Sequence, residues 1–418
     1  MRWHPKEHCR EANRVIYLDH AATTTLRDGA RRALERSHAL APGNPSGQHG
    51  AARLAKYALE EAREVLAERV GARPDQVIYT GGGSEADNLA ILGTARAWAE
   101  GKRILVSAGE HKAVMSSADL AISEWARLDG ASRSRAVGVE RSTATRAERI
   151  ALKSSGHVDL DDMCRRLGAD GEVGLVSVMA VNNETGVVQP TSAVGEIVRR
   201  MAPRAALHID AVQAAPWNDL APIVETADSV AISGHKFGGP QGVGALIAHD
   251  PRRLRPLIVG GGQEWGARSG THNVAGVVAM VAALEETLER RADEAVRIAA
   301  LALEFRRQIE RLWPAVMWNT EPEETVPGII HLRLPSLQAE TVLAMLDHVG
   351  VCAAAGSSCQ SGAMEPSHVL MAMGFGAEQA NESIRLSLGW DTSFADIDGA
   401  VSALDAVISQ LGGLGAAA

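Results

Sequence analysis

The sequence predicts an α/β protein with a mostly parallel sheet, followed by a smaller α+β lobe. Three observations predict it. Short apolar runs alternate with helical stretches from Val15 to Ile247, the pattern of repeated strand–helix units. Polar, chemically capable residues recur just past the ends of those runs, where ligands of parallel sheets bind. From residue 273 to 312 the pattern turns helical, and strands and helices are mixed after it.

Taken in order, residues 1–14 are a polar tail. Residues 15–19 form a short strand, followed by a turn at 20–24 and a loop at 43–47. A helix runs from 49 to 70 with an inward Ala/Leu/Val stripe. Residues 76–80 are a strand, and Gly81-Gly82-Gly83-Ser84 opens a helix reaching residue 99. Residues 103–107 are the next strand, with Glu110-His111-Lys112 at the following helix start.

Residues 127–147 are polar and Arg-rich, which predicts a surface insertion. Leu160, Met163, Cys164 and Leu167 share a helical face, placing Cys164 in the core. Strands at 173–179 and 206–210 lead into Asn182-Asn183-Glu184 and Ala211-Val212-Gln213. Strand 229–232 runs into Ser233-Gly234-His235-Lys236, and another strand follows at 242–247. The helical stretch 273–312 is expected to bend near Ala292-Asp293, where the lobe boundary is set. Beyond it, strand 328–334, helix 339–349 and strand 383–388 are expected, with Cys352 in a strand core and a frayed end at 412–418.

The chain has 418 residues, enough for two or three lobes. With 42 basic and 51 acidic residues the formal charge is −9, which argues against a general binder of nucleic acid or membrane surface. The N-terminus has neither an apolar signal region nor a transit-peptide pattern, and the run 274–284 is too short to cross a bilayer, so a cytoplasmic protein is expected. The cysteines at 9, 164, 352 and 359 form no CxxC and no metal spacing, so no metal site is expected.

Two stretches carry chemistry. Lysine occurs only at positions 6, 56, 102, 112, 153 and 236, and Lys236 alone follows a buried strand. Burying an unpaired ammonium is costly, and a Schiff base to pyridoxal phosphate removes the cost. A lysine snorkelling from a strand end is the other reading of the same four residues. The glycine run at 81–83 presents free amides at a helix start, an anion site that in other proteins is only structural.

Further blocks break the tie. Tyr17-Leu18-Asp19-His20-Ala21-Ala22-Thr23-Thr24, Gly43-Asn44-Pro45-Ser46, Glu110-His111-Lys112-Ala113-Val114, Asn182-Asn183-Glu184-Thr185-Gly186, Asp210-Ala211-Val212-Gln213, Ser233-Gly234-His235-Lys236, Arg268-Ser269-Gly270-Thr271 and Ser383-Ile384-Arg385-Leu386-Ser387 occur in that order. With them the chain resembles the cysteine desulfurases of the nitrogen-fixation and iron–sulfur-assembly type, within the class V aminotransferases. The resemblance spans about residues 15–411.

It implies a fold-type I pyridoxal-phosphate transferase: a large domain at 15–290 with a mostly parallel seven-stranded sheet, and a small one at 291–418. It implies that Lys236 holds the cofactor and moves the Cα proton, that Asp210 pairs with the ring nitrogen, and that His111 stacks on the ring and donates a proton. Gln213 would bond the phenolic oxygen, with Asn183 between that oxygen and the substrate. Gly83, Ser84, Ser233 and His235 would bind phosphate, and Thr271 would reach the cofactor of a partner subunit in a homodimer. Arg385 would clamp the substrate carboxylate, assisted by Asn44. Cys359, in the Gly/Ser/Ala-rich loop 354–367, would take sulfur from L-cysteine and pass it to an acceptor protein. A selenocysteine lyase, a class V transaminase and a non-enzymatic cofactor-holding scaffold are the rival readings. Thr25, Ser84, Gln360 and the 127–147 insertion depart from the common pattern, and Gln360 leaves the acceptor open.

Overall fold

The computed structural model describes residues 15–99, 101–132, 147–356 and 365–415. Its strands are, in order, β1 (Ile16–Tyr17), β2 (Val77–Thr80), β3 (Arg103–Ser107), β4 (Glu148–Ile150), β5 (Val173–Ser177) and β6 (Ala206–Asp210). Then come β7 (Ser229–Ser233), β8 (Gly244–Ala248), β9 (Met317–Trp318), β10 (Ile329–Arg333), β11 (Val351–Cys352) and β12 (Ser383–Ser387). They divide between two compact units.

The larger unit comprises residues 24–183 and 187–291. Its seven-stranded sheet has the order β2-β8-β7-β6-β5-β3-β4. Every pairing is parallel except those of β8, which runs against both neighbours. The β5, β6, β7 and β8 residues are all buried, because helices cover both faces and leave no solvated side for polar alternation. The helix Gly83–Ala97 packs Ala86, Leu89 and Ala90 against Ile78, Ala231 and Leu246. Its Ile91 and Ala95 join Ile104, Val106, Val114 and Ala118 in a second cluster. The reversed direction of β8 has a local cause. Only a short turn holding Lys236 separates it from β7, too little chain for a crossover to a parallel neighbour.

The smaller unit comprises residues up to Thr23, the three residues Glu184–Gly186, and everything from Ala292. Strand β1 pairs in parallel with β11, and β12-β10-β9 form an antiparallel sheet. The Ser387 amide donates to the Leu18 carbonyl at 2.7 Å, tying the two sheets together. The large domain expected at 15–290 therefore differs at its start. The segment through Thr23 groups with the C-terminal unit, where β1 pairs with β11.

Other expectations are revised by packing. One continuous helix of 39 residues spans Val274–Leu312, and the boundary between units falls inside it at Arg291–Ala292. The helix Lys112–Ser132 runs into the stretch read as an insertion; residues 133–146 lie outside the described ones. Cys164 and Cys352 are half-buried, not core residues. Among the described residues no helix is long and apolar enough to cross a membrane.

Candidate active site

The carboxyl ends of the parallel strands hold most of the predicted site residues, and backbone geometry explains why they meet. The Ala180 amide donates to the Asp210 carbonyl at 2.8 Å, joining the turn after β5 to the end of β6. Asn182 Nδ2 donates to the Gly109 carbonyl at 3.0 Å, which brings the Asn182-Asn183 turn beside the Glu110-His111 turn. The Ala211 amide donates to the Ala231 carbonyl at 3.0 Å, linking β6 to β7 just before Ser233 and Lys236.

The glycine run fits against this group tightly. Gly82 stands at φ 145°, a conformation that favours glycine, and no side chain caps the helix Gly83–Ala97 that follows. A Cβ on Gly83 would lie 2.6 Å from Val212 Cγ2 and 3.4 Å from Ser233 Cβ, so the helix start sits directly on Ser233. Among the described residues Ser233 Oγ is buried without a hydrogen-bond partner, as is Gln213 Oε1. An unsatisfied buried hydroxyl or amide oxygen costs about 1–3 kcal/mol, so two of them beside an uncapped helix start call for a polar ligand. The donor set fits pyridoxal phosphate: an anion cradle, a buried carboxylate and a lysine.

Asp210 is buried at the end of β6, and one of its oxygens accepts from the Val212 amide at 2.9 Å. Burial pushes its carboxyl up, the neighbouring Asp87 adds to that, and His111 pulls it back down. His111 is itself exposed, and its Nδ1 accepts from the Ala113 amide at 3.1 Å at the helix start. His235 is held neutral, lowered to about 4 by burial and by the adjacent Lys236. Lys236 is half-buried in its turn, and Ser84 is exposed at the helix start.

Not every predicted residue joins this group. Asn44 is exposed, with its Oδ1 accepting from the Ser46 amide at 3.0 Å, and Thr271 is exposed in the loop before Val274. Arg385 lies in β12 of the smaller unit, where it is buried, unlike the usual strand arginine, and Nη2 donates to Asp19 Oδ1 at 2.7 Å. Cys359 and Gln360 lie outside the described residues.

Several buried polar residues escaped the sequence reading. His208, two residues before Asp210 on the same face of β6, places Nε2 3.3 Å from Asp87 Oδ1 and Nδ1 2.9 Å from Ser229 Oγ. Burial pushes Asp87 up to about 8 and His208 down to about 4, so at neutral pH both are uncharged. Glu110 is raised well above the carboxylate range, mainly by burial and then by Asp210 and Asp87. Asp210 is thus the carboxylate of this cluster nearest to ionisation. The signal was present: an aspartate among Ala86, Ala90 and Ile91 on a buried helix face, and a histidine inside an apolar strand. Elsewhere Glu264, buried in the loop that leads to Thr271, accepts from Arg63 at 2.7 Å and 2.9 Å and lies 2.7 Å from His272 Nε2.

The profile of the Aminotransferase class-V family matches residues 16–399. The chain belongs to that family. Within it the chain falls among the cysteine desulfurases, being 35% identical to a cysteine desulfurase IscS of Dictyoglomus turgidum over 95% of each chain. It is 40% identical to a cysteine desulfurase of a Frankia species, over 92% of this chain and 88% of the relative. A solved NifS-like protein superposes with a TM-score of 0.82 at 28% identity, covering 95% of this chain and all of that one. Membership of this class V family implies pyridoxal phosphate as the cofactor.

Proposed function

We propose that this chain uses pyridoxal phosphate to convert L-cysteine to L-alanine, with the sulfur passing to Cys359 and then to an acceptor protein. One observation carries the reading: Lys236, the buried Asp210 and the unpartnered Ser233 Oγ and Gln213 Oε1 stand at neighbouring strand ends beside an uncapped helix start. The cofactor, when bound, supplies an electron sink for the charge left at Cα after its proton is removed.

The residues divide the remaining work. The amides of Gly83 and Ser84 with the Ser233 hydroxyl and His235 hold phosphate. Asp210 would keep the ring nitrogen protonated, Gln213 would bond the phenolic oxygen, and Asn183 would sit between that oxygen and the substrate. Lys236 holds the cofactor and carries the Cα proton at Nζ, with His111 as a second proton donor. Arg385, assisted by Asn44, holds the substrate carboxylate. The Cys359 thiolate attacks the substrate sulfur: the C–S bond of L-cysteine breaks, an S–S bond forms on Cys359, and the carbon takes a proton to leave as alanine. The atoms balance, since one thiol and L-cysteine become one persulfide and alanine. Thr271, exposed on its loop, reaches the cofactor of a second copy in a cytoplasmic homodimer.

The test is an assay of alanine and sulfide from purified protein with L-cysteine and a reducing thiol. Alanine and sulfide in equal amounts are expected. Turnover confined to L-selenocysteine, or amino transfer to a keto acid without sulfide, overturns the reading.

A further inference from the structure

The three residues Glu184–Gly186 come from the middle of the chain yet fold into the smaller unit. Gly186 has φ +78°, and a Cβ there would lie 2.9 Å from Ile329 Cβ, while its carbonyl accepts from the Val326 amide at 2.9 Å. Thr320 Oγ1 donates to the Thr185 carbonyl at 3.4 Å. Glu184 is therefore fixed from its own C-terminal side, and its carboxylate is buried, 2% exposed.

What that carboxylate touches is specific. Ser367 Oγ donates to Glu184 Oε2 in a short hydrogen bond, and the same Oγ caps the helix His368–Ala372 by accepting from the Leu370 amide at 3.2 Å. Across from it, Gly356 lies so close that any Cβ there would overlap Glu184 Oε2. That same Cβ would lie 3.3 Å from Ser367 Cβ. The chain thus leaves Gly356 and returns to Ser367 at one place, and Glu184 occupies it. Cys359 lies in the sequence between these two points.

We propose that Glu184 is a positioning residue for sulfur transfer, its buried carboxylate holding both stems of the segment that carries Cys359. The proposal rests on the desulfurase reading and extends it to a residue outside the strand-end group. Burying a carboxylate costs free energy unless hydrogen bonds offset it, and Ser367 on the stem supplies one of those donors. Holding both ends at one point lowers the number of placements open to the segment between them. Placement of a nucleophile matters steeply, since a displacement of about 1 Å is worth on the order of 100-fold in rate.

The experiment uses the full-length holoenzyme and compares Glu184→Ala, Glu184→Gln and Gly356→Ala with the wild type. Three quantities are read: the cofactor's absorbance change on adding L-cysteine, the rate of alanine release, and the rate at which elastase cuts between residues 356 and 367. Glu184→Ala should keep the absorbance change, slow alanine release by on the order of 10- to 100-fold, and speed cutting several-fold. Glu184→Gln keeps an acceptor oxygen at the same reach and should recover most of both losses. Gly356→Ala should reproduce the defect from the other side, which keeps the test decisive if Glu184→Ala does not fold. Alanine release and cutting within about twofold of wild type in Glu184→Ala and Gly356→Ala overturns the proposal, as does an equal loss of the absorbance change, which marks general damage. If the wild type itself releases no alanine, the desulfurase reading has failed, and the elastase comparison alone decides whether Glu184 holds the stems.

Discussion

Arg385 and Asp19 form a pair: Nη2 of the arginine donates to Oδ1 of the aspartate at 2.7 Å, with the guanidinium almost fully buried. Asp19 follows β1 and Arg385 lies in β12, and the isolated bridge between Asp19 and Ser387 puts those strands side by side. The pair offsets the desolvation of the guanidinium and orients it within the fold.

A lysine in its place keeps the charge and loses the planar fork. Arg385→Lys should lower kcat/KM for L-cysteine by a charge-assisted hydrogen bond, about 1.5–3 kcal/mol, or roughly 10- to 100-fold. The loss should fall mainly on KM, with the resting cofactor spectrum unchanged. Steady-state kinetics of alanine release measure it, and an unchanged KM removes Arg385 from substrate binding.

Asp210→Asn removes the charge at nearly constant volume. The buried cluster behind it, with Asp87 and His208 uncharged at neutral pH, offers no replacement anion at the end of β6. Exchange of the substrate Cα proton into deuterated water should fall by on the order of 100-fold or more while cofactor stays bound. Nuclear magnetic resonance of recovered L-cysteine reads the exchange. Wild-type exchange contradicts the role given to Asp210.

His331 predicts a loss of stability in mild acid. It sits in β10 directly across from Arg385, with Asn319 Nδ2 2.8 Å from its Nδ1 and its Nε2 buried without a partner among the described residues. Burial, then Arg385, lowers it to about 3 from an ordinary 6.5. Below pH 6.5 the unfolded chain takes up a proton that the folded chain refuses until about pH 3. The stabilisation is thus complete above 6.5 and is lost as pH falls toward 3. At pH 5 the difference is about 2 kcal/mol. Urea unfolding at pH 7.5 and pH 5 should show His331→Gln losing less stability over that interval than the wild type. An equal loss assigns the acid sensitivity to other groups.

Cys359→Ser separates sulfur transfer from cofactor binding. The mutant should stay yellow and change colour with L-cysteine, yet release no alanine, because a neutral hydroxyl is a poor acceptor of sulfur. Lys236→Ala, by contrast, should lose the colour of the bound cofactor altogether. Cys352→Ser and Cys164→Ser, both half-buried, should retain turnover. Mass spectrometry of wild-type protein after L-cysteine should find one added sulfur on the peptide containing Cys359. Sulfur on Cys352 instead identifies a different nucleophile.

Much of the strand-end group was legible because its residues follow apolar runs at once: Asp210 ends β6, Lys236 sits in the turn after β7, and the glycines precede a helix. Local order in the chain maps there onto local order in space. Glu184 carries no such signal, because nothing nearby in sequence shows that Gly356 and Ser367 come to it. His208 and Asp87 were passed over because their partners lie on other elements, and inside an apolar pattern each reads as an interruption. The helix Val274–Leu312 was expected to bend because its length exceeds that of ordinary free-standing helices, whereas its buried residues, from Val274 through Met280 to Phe305, give it packing along its length.

The pairing of Ile16 with Val351 and of Tyr17 with Cys352 orders events during synthesis. Strand β1 needs a partner 335 positions later, a wait on the order of tens of seconds at usual elongation rates. All seven strands of the large sheet emerge in that interval, so this sheet can close while β1 still has an open edge. An open edge strand invites pairing with another chain, and at two residues β1 offers little to pair with. The same arrangement bars a simple dissection of the gene: a fragment starting at Ala292 would lack both β1 and the Glu184–Gly186 insertion, leaving β11 without its neighbour and the Ser367 hydroxyl without its carboxylate.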